Sequence, residues 1–293
     1  METIRDIRIR LKSIDSTKKI TESMRMIATR KVQRTKQRME QNRAYFEQSA
    51  DIIKNMSAGG GFKDSHFLAG NEYKEGETPG RPVIIVITGD RGLCGGYNVN
   101  AAKAAGALAE ELGEADFITI GTKGRDYFRR RKKNILNAFK GLSENPFYRD
   151  AQSIGEIVLN LYNSKSASRV YLIYTKYISM LSQTAEPIKL LPLDVKAEEN
   201  TVAKDGKEII YDTNPGALLG YAVAAYVNSS IFGAMLESAV CEQCARLTGM
   251  DSAVKNSEKI IDSLTLQYNQ MRQSAITQEI AEIVGGANAV EKD

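Results

Sequence analysis

The stretch MDSAVKNSEKIIDSLTLQYNQMRQSA, Met250 to Ala275, decides the fold. Stepping alternately by four and three residues gives Met250, Val254, Ser257, Ile261, Leu264, Tyr268, Met271 and Ala275. The same stepping runs back through Leu247, Gln243, Val240, Leu236, Gly233, Ser229, Tyr226 and Ala222. Twelve of these sixteen positions are apolar (glycine not counted) and none is charged. A seam with a mean period of 3.5 over this length signals a coiled coil rather than an ordinary surface helix. Asn214 followed by Pro215 makes a good helix start, and no proline follows to the end of the chain. A helix from 215 to about 285 is roughly 105 Å long, wider than a 30-kDa globule, so it has to leave the protein body.

The N-terminal end carries a matching element. Thr3 with Asp6 resembles a capping box, and residues 4 to 57 hold neither glycine nor proline. Ile4, Ile7, Leu11 and Ile14 form one apolar stripe; Ile20, Met24 and Ile27 read as a second, after a phase slip. Val32, Met39, Phe46 and Ile53 then recur every seven residues. Two long terminal helices joined through a compact middle pair most simply antiparallel. The C-terminal one is longer by about 15 residues, so its tip projects some 20 Å past its partner. The tip alternates Arg272, Gln273, Thr277 and Glu279 with Ile276, Ile280, Ile283 and Val284. Those apolar residues need another protein on which to bury themselves.

The middle follows a different pattern. Residues 59 to 82 are rich in glycine and polar groups and read as a linker. VIIVIT (83 to 88) is a continuous apolar run, as in strands buried on both faces. DFITIG (116 to 121) and RVYLIYTKY (169 to 177) read as further strands, and NAAKAAGALAEEL and IGEIVLNLY (154 to 162) as helices between them. EPIKLLPLDV and KEIIYD read as an edge hairpin. The expected fold class is α/β: a long antiparallel two-helix coiled coil formed by the chain termini, plus a small Rossmann-like α/β domain. The expected boundaries are 1–58 for the N-terminal helix, 59–82 for the linker, 83–213 for the α/β domain and 214–286 for the C-terminal helix.

Composition narrows the function. Of 293 residues, 42% are hydrophobic and 26% charged, which describes a globular chain. The METIRDIRIR start has no apolar core of the kind a secretory signal needs, so no signal is expected. Three cysteines are too few for a disulfide framework, and a single histidine disfavours most metal and His-based schemes. Net charge is only +4, yet residues 1 to 43 hold thirteen Lys/Arg against five Asp/Glu. An acidic partner near that end is expected.

Four motifs bear on chemistry. GDRGLCGGYN (89 to 98) follows a strand, but its glycines at 89, 92, 95 and 96 fit neither GxGxxG nor GxxxxGK[ST]. A tight strand-to-helix turn is the plainer reading. Cys241 and Cys244 form a CxxC inside a helix, with no second ligand pair, and read as packing residues. His66 reads as a surface histidine of the linker. The run Arg129, Arg130, Arg131, Lys132, Lys133 is a solvated face, or else touches nucleic acid or a membrane surface.

Three stretches taken together resemble the gamma-subunit family of F-type ATP synthases, the central rotor stalk. They are ITESMRMIATRKVQR (20 to 34), GDRGLCGGYN, and LTLQYNQMRQSAITQEIAEIVGGANA (264 to 289). Departures are small: Thr29 stands where a small residue is usual, Cys241 and Cys244 replace small residues, and VEKD is appended. No inserted dithiol segment of the chloroplast kind is present.

The resemblance implies a non-catalytic subunit without cofactor or metal. Its coiled coil enters a hexamer of alpha and beta subunits, and its α/β domain meets the epsilon subunit and the c-subunit ring. It implies a peripheral place at the cytoplasmic face of a bacterial plasma membrane, reached only through the complex, and no nucleic acid. Position by position, Arg272 and Gln273 match the pair that bonds an acidic loop of beta, with Thr277 and Glu279 beside them. Met24 matches a methionine facing a beta loop, Glu242 and Arg246 a polar pair that influences coupling, and Tyr211 and Asp212 the part that meets epsilon and the c ring. The competing readings are a basic coiled-coil scaffold for nucleic acid and a Rossmann-like enzyme using the 89 to 96 loop. Both leave the apolar tip unexplained.

Overall fold

A computed structural model describes residues 3–58, 65–73, 79–193 and 215–290. In order these form α1 (Ile4–Ala58), α2 (His66–Ala69), β1 (Arg81–Ile87), α3 (Tyr97–Leu112), β2 (Asp116–Ile120), α4 (Thr122–Arg130), β3 (Ile135–Phe139), α5 (Tyr148–Asn163), β4 (Ala167–Tyr177), β5 (Gln183–Leu191) and α6 (Pro215–Val290). By its internal contacts the chain divides into two units, Met1–Ala28 with Leu247–Asp293, and Thr29–Arg246.

In the first unit, α1 and α6 run antiparallel. The polar pairs Arg8–Tyr268 (2.7 Å), Lys18–Glu258 (2.9 Å) and Arg25–Asp251 (3.1 Å) set the register: as the first residue number rises by 10 and then 7, its partner's falls equally. Thr3 starts α1 as a true capping box. Its hydroxyl accepts from the Asp6 N–H at 3.2 Å, and the Asp6 carboxylate accepts from the Thr3 N–H at 3.0 Å. The α6 seam from Met250 to Ala275 is correct, since all eight positions are shielded and Met250, Val254 and Leu264 are buried.

The phase slip in α1 is not observed. One unbroken phase, Ile7, Leu11, Ile14, Lys18, Thr21, Arg25 and Ala28, faces α6. Two of its members are long cations that bury their stems and reach sideways to Glu258 and Asp251. Apolarity alone therefore misplaced the seam. Ile20, Met24 and Ile27 are instead 62%, 37% and 56% exposed.

The second unit is a five-stranded sheet in the order β3-β2-β1-β4-β5, parallel except for β5, which runs antiparallel to β4. Val83, Ile85 and Ile87 face α5 and α6, while Ile84 and Val86 face α3 and Phe128 of α4. Cover on both faces explains why β1 reads as continuously apolar. Ala102, Ala105 and Ala109 let α3 lie close against the sheet.

The α6 segment in this unit departs from the single-seam reading. Nearly every residue from Val227 to Cys244 is buried, including Cys241 and Cys244, so here the helix is the core of the α/β unit rather than one strand of a coiled coil. Gly155 marks the crossing with α5, where a Cβ would collide with the Asn228 side-chain oxygen. An 18-residue window of α6 with mean hydropathy 1.3 is apolar enough by composition to cross a bilayer, but 56% of it is buried in the protein.

Other elements differ in detail. α4 and β3 were not anticipated. LPLDV and its upstream residues form β5 only as far as Leu191, and its hairpin partner is β4; KEIIYD lies outside the described residues. Within the stretch read as linker, Phe67 is buried against the core, and the Tyr162 hydroxyl donates to the His66 carbonyl at 2.8 Å.

Candidate functional site

The parallel strands end beneath the loop that follows β1, residues 89 to 96, and α6 presents Glu242 to it. The Glu242 side chain is fully buried, and one of its carboxylate oxygens accepts from Arg246 at 2.7 Å. Its other oxygen has no hydrogen-bond partner among the described residues. Burial pushes the Glu242 carboxyl up, Arg246 pulls it back, and the nearby carboxylates of Glu144 and Asp90 push it up further, with a net upward result. Gly89 is required by this approach, because a Cβ there would stand 2.9 Å from the carboxylate. Arg246 also donates to the Gly92 carbonyl at 3.4 Å. The pair expected to influence coupling therefore fastens α6 to the glycine loop.

Asp90, which the sequence reading passed over, organises the rest of the loop. Its carboxylate accepts from the Thr122 hydroxyl (2.6 Å) and N–H (3.0 Å), the Gly141 N–H (2.9 Å) and the Ser143 hydroxyl (3.0 Å). Burial alone would raise its carboxyl, but these four donors outweigh it and hold it below the usual range. Glu144 continues the network, bonding Lys31 of α1 at 2.8 Å with Arg91 3.6 Å away. The Lys31 bond leads in holding the Glu144 carboxyl down. An aspartate directly after the strand-ending Gly89 was the available signal for this hub.

The same geometry weakens the nucleotide reading. In the loop itself the Asn98 side chain accepts from the Gly89 N–H at 2.7 Å and donates to the Arg91 carbonyl at 3.1 Å, tying the strand end to the first turn of α3. The neighbouring N-terminus of α4 already holds the Asp90 carboxylate. Gly95 (φ +54°) and the exposed Leu93 (φ +61°) turn the chain in the left-handed region, as a tight turn requires. Cys241 donates its thiol to the Thr175 carbonyl at 3.3 Å and packs with Cys94 and Tyr97; burial pushes the Cys94 thiol up, the opposite of what a reactive thiolate needs.

The tip residues belong to the first unit. The register places Thr3, the first described residue of the chain, opposite Gln273, and past Ala275, which is partly shielded, residues 276 to 285 of α6 are all exposed. Arg272, Gln273, Thr277 and Glu279 are all exposed; the Thr277 hydroxyl bonds back to the Gln273 carbonyl at 2.9 Å. Ile276, Ile280, Ile283 and Val284 are 42%, 56%, 71% and 53% exposed. Met24 is on α1 in the same unit, on the outward stripe with Ile20 and Ile27. Tyr211 and Asp212 lie outside the described residues.

Comparison with known proteins agrees over the full length. A family model described as ATP synthase matches residues 3–290. The sodium-ion-specific ATP synthase gamma chain of Acetobacterium woodii is 38% identical, with 99% of each chain covered. The ATP synthase gamma chain of Halothermothrix orenii is also 38% identical, covering 99% of this chain and all of that one. Among solved structures, the fold is similar to a chain of the Euglena gracilis mitochondrial ATP synthase (OSCP/F1/c-ring), with TM-score 0.64, 20% identity, and coverage of 98% and 94%. It is also similar to a chain of the Tetrahymena thermophila mitochondrial ATP synthase central stalk and c-ring, with TM-score 0.61, 21% identity, and coverage of 80% and 99%. A chain with this antiparallel helix pair, this sheet and this end-to-end match belongs to the ATP synthase gamma-chain family.

Proposed function

We propose that the protein is the central-stalk rotor of a membrane ATP synthase. It couples ion flow through a c-subunit ring to conformational cycling of catalytic beta subunits, during synthesis or hydrolysis of ATP. The observation that carries this reading is the tip of α6. It outruns the described residues of α1 and exposes Ile276, Ile280, Ile283 and Val284 in a row that has no partner among the described residues of its own unit. A helix end of this kind requires a cavity in another protein. The outward stripe of Ile20, Met24 and Ile27 on α1 supplies a second such surface.

The mechanism follows from asymmetry. A shaft inside a pseudo-threefold ring of alpha and beta subunits presents a different surface to each beta subunit. Its angle therefore biases each site's conformation by differential contact energy. Arg272 and Gln273 project from the tip as donors to an acidic loop of beta, where charge-assisted bonds are strong and directional. Thr277 and Glu279 extend that contact by one turn, and Met24 faces a beta loop from α1. Glu242 and Arg246 hold α6 to the 89–96 loop, so that torque on the helix reaches the α/β unit. That unit, with Tyr211 and Asp212, takes the epsilon subunit and the c ring. The shaft needs stiffness and directional contacts and no catalytic group or cofactor. The complex holds it at the cytoplasmic face of the membrane.

The test is reconstitution with separately purified alpha and beta subunits. A complex of all three that hydrolyses ATP supports the reading. Failure of the full chain to co-elute with the hexamer would sink it.

A further inference from the structure

The run Arg129 to Lys133 takes no part in the helix pair or in the Glu242–Arg246 site. Residues 123 to 133 hold seven Lys/Arg and one acid, Asp126, which Arg125 already pairs at 2.7 Å. The five cations from 129 to 133 are all exposed. Arg129 and Arg130 are in the last turn of α4, where a cation complements the helix dipole, but the three that follow lie past the helix end. Lys132 occupies a left-handed turn (φ +54°) that glycine or asparagine would fill with less strain. The fold thus holds a lysine where its own backbone disfavours one.

Position adds to charge. The Asn134 carbonyl accepts from the Phe117 N–H at 3.0 Å, and its side chain donates to Asp116 at 2.9 Å. The basic run therefore lies where β2 and β3 begin, at the end of the sheet opposite the Glu242–Arg246 pair. The nearby aromatics are unavailable for base stacking: the Arg131 guanidinium covers the Tyr127 ring at 3.6 Å, and Phe128 is buried on Phe117 at 4.1 Å.

We infer that this end of the α/β unit, through Arg129, Arg130, Lys132 and Lys133, contacts the anionic phospholipid headgroups of the bilayer. A compact polybasic surface without a stacking platform suits a sheet of negative headgroups. The inference builds on the rotor reading, which stands this unit at the membrane, and it adds a direct lipid contact to an association otherwise made through partner subunits.

The test compares the full chain with the triple variant Arg129→Gln/Arg130→Gln/Lys133→Gln. Both are titrated with phosphatidylglycerol–phosphatidylcholine vesicles and with pure phosphatidylcholine vesicles. A matched triple in α1, Arg5→Gln/Lys12→Gln/Arg30→Gln, controls for total charge, and melting curves confirm that all three chains fold. The expected result is binding to the anionic vesicles only, weakened on the order of 100-fold in the α4 triple. The α1 triple should lose less than about threefold, and binding should fall steeply as salt rises toward about 0.5 M. Equal losses in the two triples, or none in the α4 triple, would overturn the inference. So would tighter binding to duplex DNA than to vesicles, abolished by the α4 triple. Hexamer assembly of the α4 triple is measured beside these. Vesicle binding lost while assembly stays intact supports the lipid contact. Assembly that fails already in the wild-type chain refutes the rotor reading instead.

Discussion

Replacing Leu264 by lysine and, separately, Ile280 by lysine distinguishes the two surfaces of α6. Leu264 is 5% exposed in the helix pair, and the register places it opposite the turn of α1 from Leu11 to Ile14. Losing that leucine forfeits about 1.5–3 kcal/mol of apolar burial. The ammonium adds a desolvation cost, which its flexible stem relieves in part by reaching solvent. About 3 kcal/mol then falls on a unit of 75 residues, 28 from one end of the chain and 47 from the other. At about 4–8 °C per kcal/mol for a domain of that size, its melting shifts down by roughly 12–24 °C. Ile280 is 56% exposed and beyond the reach of the described part of α1. Ile280→Lys should change the isolated chain's stability by less than about 0.5 kcal/mol. It should weaken hexamer binding by about 1.5–3 kcal/mol, the worth of burying that side chain in a partner. Circular-dichroism melting of each purified variant, with gel filtration against alpha and beta subunits, reads both effects. If Ile280→Lys lowered the melting temperature as much as Leu264→Lys, the tip would be buried within its own chain and the reasoning would fail.

Three further outcomes are expected. Asp90→Asn removes a charged acceptor of four hydrogen bonds and should cost about 2–3 kcal/mol near pH 7 by denaturant melting. Because the native carboxyl is held below its ordinary 3.8, that advantage is complete above pH 3.8 and is lost as pH falls through the lower native value; a difference unchanged at the acid end would contradict it. Gly89→Ala puts a Cβ 2.9 Å from the Glu242 carboxylate and should cost about 1–3 kcal/mol; a neutral result would mean the loop yields freely. Arg272→Ala with Gln273→Ala should lower ATP turnover per assembled complex more than it lowers assembly, each charge-assisted bond being worth about 1.5–3 kcal/mol; wild-type turnover would refute that role.

What could be read in the sequence depended on which interaction held each element. The α6 seam from Met250 to Ala275 was legible because a thin helix pair buries one stripe and nothing else. The α1 seam was misplaced because Lys18 and Arg25 share its buried face through their stems, while Ile20 and Ile27 are exposed, and apolarity cannot distinguish an inward isoleucine from one awaiting a partner. Strands β1, β2 and β4 were legible as apolar runs. The edge strand β3 was not, since its residue types contradict its alternation: Leu136 and Ala138 are exposed while Asn137 between them is shielded. Glu242 and Arg246 came from the family resemblance alone. Their closeness to Gly89 joins residues over 150 positions apart, which no local pattern announces. Asp90 was missed for the same reason: its four donors come from Thr122 and from the 141–143 loop, two segments distant in the chain.

In the proposed role this chain turns inside a catalytic hexamer, and single-molecule rotation reads that directly. A cysteine placed by Glu110→Cys on the exposed side of α3 carries a bead, the alpha–beta hexamer is fixed to a surface, and the bead is followed under ATP. Unidirectional rotation in three equal steps per turn, stopping when ATP is withdrawn, is the expected result. A bead that only jitters while the same hexamers hydrolyse ATP would contradict it.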